Sequence, residues 1–399
     1  MKTLDDAPFV DLFDPDFRAD PEAAIAPVQA QSWLARNALG GMVVGRAQVQ
    51  ALLSDRRLKS AVAMITGAQG VEGPMLDRMQ HSILAADGDE HLRLRRLANR
   101  AFTPRAVEGH RPHMVAVLDE LLAPLRVTGR AELMSEVFDH YPIRVMCHLL
   151  GVPEQDHEDF AAWNRAITWA LSFELSGHVD EVTWGLEHME AYVTELMADR
   201  RSTPREDLVT AFVQAREGDD RLTDDEIRSM ISALLFAGYD TTRNQLGLAT
   251  WVFAQHPDQW RLVAEQPELA GAAVEETMRF NGAVSGTARI LTEAIEYEGY
   301  ALPEGTILMM SMAAANHDRA AFDDPWSFDI TVEREPQLTF GGGPHYCLGA
   351  SLARAEMQEA LPRLAQAMPD LVLDGEPTWR PPTGIYGPET LPVRFTPTA

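Results

Sequence analysis

Cys347 lies in a glycine-rich stretch whose residue types could hold iron. The stretch reads Phe340-Gly-Gly-Gly-Pro-His-Tyr-Cys347-Leu-Gly349. A thiolate ligand needs a backbone that can approach a flat group, N–H donors near the sulfur and a positive electrostatic setting, and glycines permit the close approach. A helix that begins near Leu348 would turn its positive end toward the sulfur and favour the thiolate. A buried free cysteine in a turn would explain the pattern equally well.

Two other chemistries of this loop conflict with its spacing. Gly341, Gly342 and Gly343 lack the third glycine of a dinucleotide-binding loop, and no Gly-Lys-Ser/Thr follows to make a P-loop. His345 and Cys347 could be two zinc ligands, but no second pair with zinc-site spacing is near them. A zinc or nucleotide enzyme therefore remains an alternative that the spacing disfavours.

A second polar group, Ala237-Gly238-Tyr239-Asp240-Thr241-Thr242, interrupts a long apolar segment. Glycine in a helix costs roughly 1 kcal/mol relative to alanine, threonine can bond back to a carbonyl, and a buried aspartate is costly without a partner. Such choices together suggest a functional distortion. A carboxylate beside a hydroxyl could carry protons through water into a dry pocket. A helix kink with a satisfied polar pair is the competing explanation.

Two pairs of charged residues have helical spacing. Glu276 and Arg279 are three residues apart, and His91 and Arg95 are four apart, so each pair shares one helix face. Taken alone, the first pair reads as a surface salt bridge worth about 0–1 kcal/mol, and the second as a solvated basic face.

The cysteine stretch resembles the heme-binding signature of cytochromes P450, F-G-x-G-x-H-x-C-x-G. The defined positions that match are Phe340, Gly341, Gly343, His345, Cys347 and Gly349. The resemblance implies that the cofactor is heme b and that Cys347 is its proximal iron ligand. It also implies that Phe340 shields the sulfur and that His345 meets a heme propionate.

The other polar groups also resemble elements of this family, in the family's order. The resemblance makes Asp240 and Thr241 the catalytic acid–alcohol pair, with Ala237 facing the distal pocket and Gly238 leaving room for oxygen. Glu276 and Arg279 match the E-x-x-R fold element, for which Arg334 is the third member that we expect. His91, Arg95 and Arg289 match residues that hold the heme propionates.

The elements that must position these residues are mainly helical. Apolar spacing and Pro or Gly breaks predict helices over 105–125, 131–150, 154–172, 179–201, 223–254, 267–280 and 348–367. We expect one mainly α domain over 1–399 with small β-sheets. Its helix-rich part covers about 89–280, and its β-rich parts lie near the N-terminus and over 281–399. The resemblance places heme between the long central helix and the Cys347 loop.

The resemblance implies a monooxygenase, and the mainly apolar walls of its expected pocket favour a lipophilic substrate such as a steroid, terpenoid, fatty acid or polyketide. We expect its walls in 61–86, 167–178 and 283–287, and at Ala233, Phe236, Ala237, Val284, Ser285, Ile385 and Tyr386. Methionines 64, 75 and 79 could line this pocket or fill the core. Cys147, in an apolar segment, is expected to be a core residue.

The composition limits the partners. With 34 Lys and Arg against 60 Asp and Glu, the formal charge is −26, which disfavours nucleic acid and anionic lipid. Two distant cysteines, no signal peptide and no membrane-length apolar run lead us to expect a cytoplasmic protein. The heme fold would use all 399 residues, so electrons would come from a separate ferredoxin or flavodoxin and an NAD(P)H-dependent reductase. A basic patch of Arg93, Arg96, Arg100, Arg105 and Arg354 is the expected docking site. A peroxide-using heme enzyme and a heme-binding sensor remain alternatives.

Overall fold

Helices dominate the middle of the chain, and small sheets flank them. The structure is a computed structural model, and it describes residues 1–12, 14, 20–99, 102–172, 174–217, 220–380 and 384–398. This arrangement confirms the predicted mainly α fold with small β-sheets. Within the described ranges, no helix is both long enough and apolar enough to cross a bilayer.

The α-helices vary from single turns to a 32-residue rod. The first eleven are α1 Pro21–Gln29, α2 Arg46–Leu53, α3 Val62–Ala68, α4 Pro74–Gln80, α5 Gly88–Asn99, α6 Pro104–Glu108, α7 Arg111–Leu122, α8 Leu125–Thr128, α9 Tyr141–Leu150, α10 His157–Ile167 and α11 Leu175–Ser202. The later ones are α12 Leu208–Val213, α13 Asp224–Gln255, α14 Pro257–Glu265, α15 Ala270–Phe280, α16 Met312–Ala315 and α17 Ala350–Ala367.

Most strands are short. They are β1 Leu34–Asn37, β2 Gly40–Val43, β3 Leu58–Ser60, β4 Arg130–Glu132, β5 Arg216–Glu217, β6 Asp220–Arg221, β7 Gly286–Leu291, β8 Ile295–Tyr297, β9 Tyr300–Leu302, β10 Ile307–Ser311, β11 Val372–Leu373, β12 Thr378–Trp379, β13 Pro388–Thr390 and β14 Pro392–Arg394. The largest sheet has the order β1-β2-β10-β7-β3, and only its β2–β10 pair is parallel. It covers a small apolar core of its own, beside the large helical core.

Helix α13 is the central element, and its ends lie where the sequence predicts them. The Thr223 hydroxyl accepts from the Glu226 backbone N–H at 3.2 Å, and the Glu226 carboxylate accepts from the Thr223 N–H at 2.8 Å. This capping box satisfies backbone N–H groups that the first helical turn leaves unpaired. The helix ends where Pro257 begins α14. Most of its length is buried, as its all-round apolar middle predicts.

The predicted helix over 131–150 is wrong in its first half. Arg130–Glu132 instead forms β4, which pairs with β14 near the end of the chain. A π-helical turn, Met134–Phe138, follows before α9 begins. The preceding Gly129 has a φ of +70°, which breaks the local helix and redirects the chain toward β14. The partner strand lies about 260 residues away, so helical periodicity could not reveal the pairing.

Other boundaries shift by a few residues. The segment 105–125 is divided into α6, α7 and α8, and 154–172 and 267–280 each open with a 3₁₀ turn. The 154–172 segment also closes with the 3₁₀ turn Thr168–Leu171. Helix α11 is longer than predicted, and α17 starts at Ala350 rather than Leu348. Thr103 caps the start of α6, because its hydroxyl accepts from the Ala106 N–H at 3.3 Å.

Glu276 is the centre of a buried ion cluster that joins α15 to the loop before the cysteine stretch. Arg279 donates to its two carboxylate oxygens at 2.7 and 2.9 Å. Arg334 lies 3.3 Å from the same carboxylate. Arg279 also donates to the carbonyls of Pro325 and Ser327 at 2.6 and 2.8 Å. The pair is 5% and 2% exposed, so it is not the surface salt bridge that spacing alone suggests.

We expect Glu276→Gln to lower the free energy of unfolding by about 3–5 kcal/mol, because it leaves buried guanidinium groups without their counter-charge. Urea unfolding followed by circular dichroism measures the change. Asp258→Asn is the matched control, since Asp258 and Arg261 form an exposed pair at the same spacing and should contribute about 0–1 kcal/mol. Equal effects of the two substitutions would contradict a structural role for the cluster.

Candidate active site

The Cys347 loop is a tight turn held by its own backbone. The Cys347 N–H donates to the Phe340 carbonyl at 2.9 Å, and the Gly341 N–H donates to the Leu338 carbonyl at 2.7 Å. Gly341 and Gly343 have φ values of +71° and +62°, a conformation that side chains disfavour. A side chain at Gly343 would also collide with the backbone of α2. The glycines thus fix the loop that presents Cys347.

The electrostatic setting of Cys347 has two opposing parts. The residue is exposed on one side, yet desolvation by the surrounding protein raises the pKa of its thiol. The Gly349 N–H, Arg95 and Arg354 each lower that pKa. The positive setting that the sequence predicts is therefore present, but desolvation outweighs it. The Arg354 guanidinium lies 4.4 Å from the centre of the Phe340 ring, which closes one side of the loop.

The predicted propionate-binding residues gather near this loop. The rings of His91 and His345 stack with centroids 4.1 Å apart. His345 forms a hydrogen bond with the Asp87 carboxylate at 2.9 Å. The same carboxylate interacts favourably with the charge of the buried Arg289. Arg95 donates to the Tyr346 carbonyl at 2.6 Å, next to Cys347. The structure therefore brings all four predicted residues to the cysteine loop, and Asp87 is a partner that the sequence analysis missed.

One face of α13 remains accessible along an otherwise buried helix. Ala233, Ala237 and Thr241 are four residues apart and are all partly exposed. Residues at this spacing share a helix face, so they form an accessible stripe. Phe236, another predicted pocket residue, lies off the stripe, is 4% exposed and packs in the helical core. Gly238 packs closely against α9, where an added Cβ would lie only 2.7 Å from the Met146 sulfur, so the glycine makes room for that side chain.

Asp240 and Thr241 follow each other in sequence but use different partners. The Thr241 hydroxyl donates to the Ala237 carbonyl one turn earlier at 2.5 Å. The Asp240 carboxylate, 1% exposed, accepts from Arg380 at 2.7 Å and from the Asn244 amide at 3.1 Å. Arg380 supplies the counter-charge that a buried carboxylate requires. Arg380 was not predicted as a partner, because nothing local in the sequence links residue 380 to α13. The Asn244 contact, four residues along the same helix, was also missed.

The other predicted pocket walls meet beside α13. Val284 and Ile385 form an isolated β-bridge, and the Tyr386 N–H donates to the Ala283 carbonyl at 2.8 Å. Ser285 is exposed, Val284 and Tyr386 are partly buried, and Ile385 is buried. Met75 and Met79 are core residues, while Met64 is exposed. Residue 173, within the predicted wall 167–178, lies outside the described residues.

Comparison with known proteins decides the family. The family model described as Cytochrome P450 matches residues 71–368, well over half of the chain. The chain belongs to the cytochrome P450 family. It is 39% identical over 397 residues to luteothin monooxygenase of Streptomyces thioluteus, covering 98% of this chain and 96% of the relative. It is 35% identical to mycinamicin IV hydroxylase/epoxidase of Micromonospora griseorubida, covering 84% and 88%.

The fold agrees with solved structures of the family. The crystal structure of CalO2 matches with a TM-score of 0.90 at 29% identity, covering 96% of this chain and 98% of that one. These likenesses identify the P450 chain as a heme-dependent monooxygenase and exclude the zinc and nucleotide alternatives.

The residues present fit a heme. Cys347 is accessible on one side, as an iron ligand must be. The His91 Nδ1 atom is buried and has no hydrogen-bond partner among the residues that the structure covers. A Cβ at Gly341 or Gly349 would meet nothing within 4 Å, so the loop leaves open space on that side. Heme iron requires a ligand such as a cysteine thiolate. The propionates require hydrogen-bond donors such as a buried arginine and an imidazole nitrogen that has no protein partner.

Glu356 is a further buried carboxyl that the sequence analysis missed. It lies on α17, nine residues after Cys347, and burial raises its pKa to about 8, while the Thr242 hydroxyl opposes part of the shift. An acidic residue among apolar neighbours on this helix was the available sequence signal.

The raised pKa predicts a pH-dependent stability. In the unfolded chain Glu356 should titrate near its ordinary value of 4.5, so the folded protein holds an extra proton up to about pH 8. Its contribution therefore becomes less favourable as the pH rises from about 4.5 to 8. We expect Glu356→Gln to gain stability over the parent across this window, whereas exposed Glu376→Gln should not. Thermal unfolding from pH 5 to 8.5 measures this, and parallel curves for Glu356→Gln and the parent would contradict it.

Proposed function

We propose that this P450 inserts one oxygen atom of O2 into a lipophilic small molecule, by hydroxylation or epoxidation. The observation that carries the proposal is the accessible stripe of α13, which ends at Thr241 and has the Asp240 carboxylate next to it. Heme, bound through Cys347, would supply the activation of oxygen and its transfer to the substrate. We also propose that 1–399 folds as one domain and acts in the cytoplasm.

We assign the heme contacts by the donors at the Cys347 loop. Cys347 would hold the iron, and His91, Arg95, Arg289 and His345 would bind the propionates, for which arginine forks and imidazole N–H groups are suited. Phe340 would shield the sulfur. The support is the clustering of these side chains around one loop with an accessible thiol.

We assign Thr241 and Asp240 as the proton donors at this site. The Thr241 hydroxyl, held by the Ala237 carbonyl, would keep a fixed position at the accessible stripe. Asp240 would exchange protons with it through water, since the two side chains have no direct contact in the hydrogen bonds of the described residues. Ala237 would face the substrate, and Gly238 is assigned room for oxygen by the family resemblance.

The substrate is proposed only as a class. Relatives of this chain are named for luteothin and for mycinamicin IV, so similar chains accept different molecules. The walls proposed here, from Ala233, Ala237, Val284, Ile385 and Tyr386, are largely apolar and favour a lipophilic ligand such as a polyketide, steroid, terpenoid or fatty acid.

Reconstitution with ferredoxin, its reductase and NADPH tests this function. A screen of lipophilic compounds should give a product that has gained one oxygen atom, in a reaction that needs all three components. If hydrogen peroxide alone gave the same rate of product formation, the peroxide-using enzyme would be favoured. Heme with ligand binding but no product from any oxidant would favour a sensor.

Thr241→Ala should lower the ratio of product to NADPH oxidised at least tenfold and raise the release of hydrogen peroxide, because positioned proton donors contribute about 10²–10⁴-fold. Thr250→Ala is the matched control. Thr250 lies on the same helix and its hydroxyl makes the same backward bond, to the Leu246 carbonyl at 2.9 Å. An unchanged ratio in Thr241→Ala, or an equal loss in both variants, would contradict the assignment.

The electron donor is proposed to dock on the face that carries the Cys347 loop. Arg96 and Arg105 are exposed there, on α5 and on α6, which packs against α17. Of the other predicted patch residues, Arg93 pairs with Glu226 and Arg354 with Glu275, and Arg100 lies outside the described residues. Exposed Leu92, one turn before Arg96, adds an apolar contact.

Reversing Arg96 and Arg105 to Glu should slow reduction by an acidic ferredoxin and flatten its dependence on salt, because surface charges steer association. Arg126→Glu on α8 combined with Arg261→Glu on α14 reverses two other exposed arginines, so it makes the same change in net charge and is the control. Stopped-flow reduction rates between low and high ionic strength give the comparison. If the double variant keeps the salt dependence of the parent, the donor docks elsewhere.

A further inference from the structure

Arg380 contacts two separate parts of the fold. Its guanidinium donates to the buried Asp240 carboxylate at 2.7 Å, and its backbone N–H donates to the Gly387 carbonyl at 3.2 Å. The second bond closes the C-terminal turn, which we define as Arg380 together with residues 384–387. This turn contains Ile385 and Tyr386, the wall residues proposed above. An ion pair therefore joins a pocket wall to the residue before Thr241.

The residues after Thr241 fasten the same turn from α13. Arg243 donates to the Pro388 carbonyl at 3.3 Å. Asn244 packs so closely on Gly387 that a Cβ there would lie 2.5 Å from its side-chain oxygen. That Asn244 amide also donates to the Asp240 backbone carbonyl at 2.7 Å. The polar side of α13 thus packs closely against the C-terminal turn.

The pocket wall that contains Val284 is also held to α13 by hydrogen bonds. The Gln245 side chain accepts from the Ala283 N–H at 2.8 Å and donates to the Asn281 carbonyl at 3.1 Å. Ala283 in turn accepts from the Tyr386 N–H, and Val284 bridges Ile385. Both walls are therefore positioned by side chains that follow Thr241 within about one helical turn.

The ion pair is the strongest of these attachments. Asp240 is 1% exposed, so losing Arg380 would leave its carboxylate with the Asn244 amide as its only remaining side-chain partner among the described hydrogen bonds. Removing one partner of a buried pair leaves an uncompensated charge, and the groups that hold it must rearrange. A rearrangement at Asp240 would release the C-terminal turn, and a movement of the turn would release Asp240.

We propose that Arg380 is a positioning residue that couples occupation of the pocket at Ile385 and Tyr386 to the orientation of the Asp240 carboxylate. This rests on the proposed function, in which those residues face the substrate and Asp240 exchanges protons. A ligand that presses on the C-terminal turn fixes Arg380, and Arg380 fixes Asp240. The enzyme therefore orders its proton donor when the pocket is filled.

Two measurements on the heme-loaded protein test the coupling without turnover. The first is the dissociation constant of 4-phenylimidazole, a probe that ligates heme iron and extends into the pocket. Arg380→Gln and Asp240→Asn should each weaken binding on the order of tenfold, as expected for a buried charged hydrogen bond. The double variant should be no weaker than either single variant, since all three break the same link. Arg380→Lys should restore most of the affinity.

The second measurement is hydrogen exchange of residues 384–390. Asp240→Asn should speed exchange there on the order of tenfold, although residue 240 lies on another element. The control is Arg394→Gln, an exposed C-terminal arginine whose closest carboxylate oxygen is 3.9 Å away. It should leave both readouts unchanged.

Additive losses of probe affinity, or unchanged exchange over 384–390 in Asp240→Asn, would overturn the proposal. Failure of the proton-donor assignment would appear differently. In that case Thr241→Ala would keep the parent's product yield, while the coupling between residues 240 and 380 would persist in both measurements.

Discussion

The structure depends on satisfying polar groups that α13 carries into an apolar core. Asp240, Arg243, Asn244 and Gln245 are all buried on one helix. Burying such groups is costly unless each finds a partner, and the partners come from segments far away in the chain. Arg380 and Pro388 come from the C-terminal segment, and Asp139, which pairs with Arg243, precedes α9. The helix therefore determines where these two distant segments must lie.

This constraint links the fold to the site. The accessible face of the same helix carries Ala233, Ala237 and Thr241, and the buried Gln245 follows Thr241 by one turn. Since the buried face is fixed by directional bonds, the accessible face is fixed as well. The Glu276 cluster does the same for the Cys347 loop, because Arg334 anchors the segment that leads into it. Two buried ion clusters thus hold α13 and the Cys347 loop, the two sides of the cofactor site that we propose.

The sequence predicts those parts of the structure that local patterns encode. The capping box of α13 and the Thr103 cap are local features of this kind, because Ser/Thr caps act within three residues. The cysteine stretch was found because its glycines and histidine lie in one continuous run. By contrast, the β4–β14 pairing, Asp87 beside His345, and Arg380 on Asp240 join residues far apart in sequence. Such contacts depend on how helices pack, and a single sequence contains no periodic signal for them.

The central claim is that Cys347 holds heme iron as a thiolate. The carbon monoxide spectrum of the dithionite-reduced protein tests it most directly, with Cys147 as an internal control, because the chain has only two cysteines. The parent and Cys147→Ala, which changes a buried core thiol, should both show the strongly red-shifted Soret band of thiolate-ligated heme. Cys347→Ser should lose that band. An unshifted band in the parent, or a shifted band that survives in Cys347→Ser, would contradict the account.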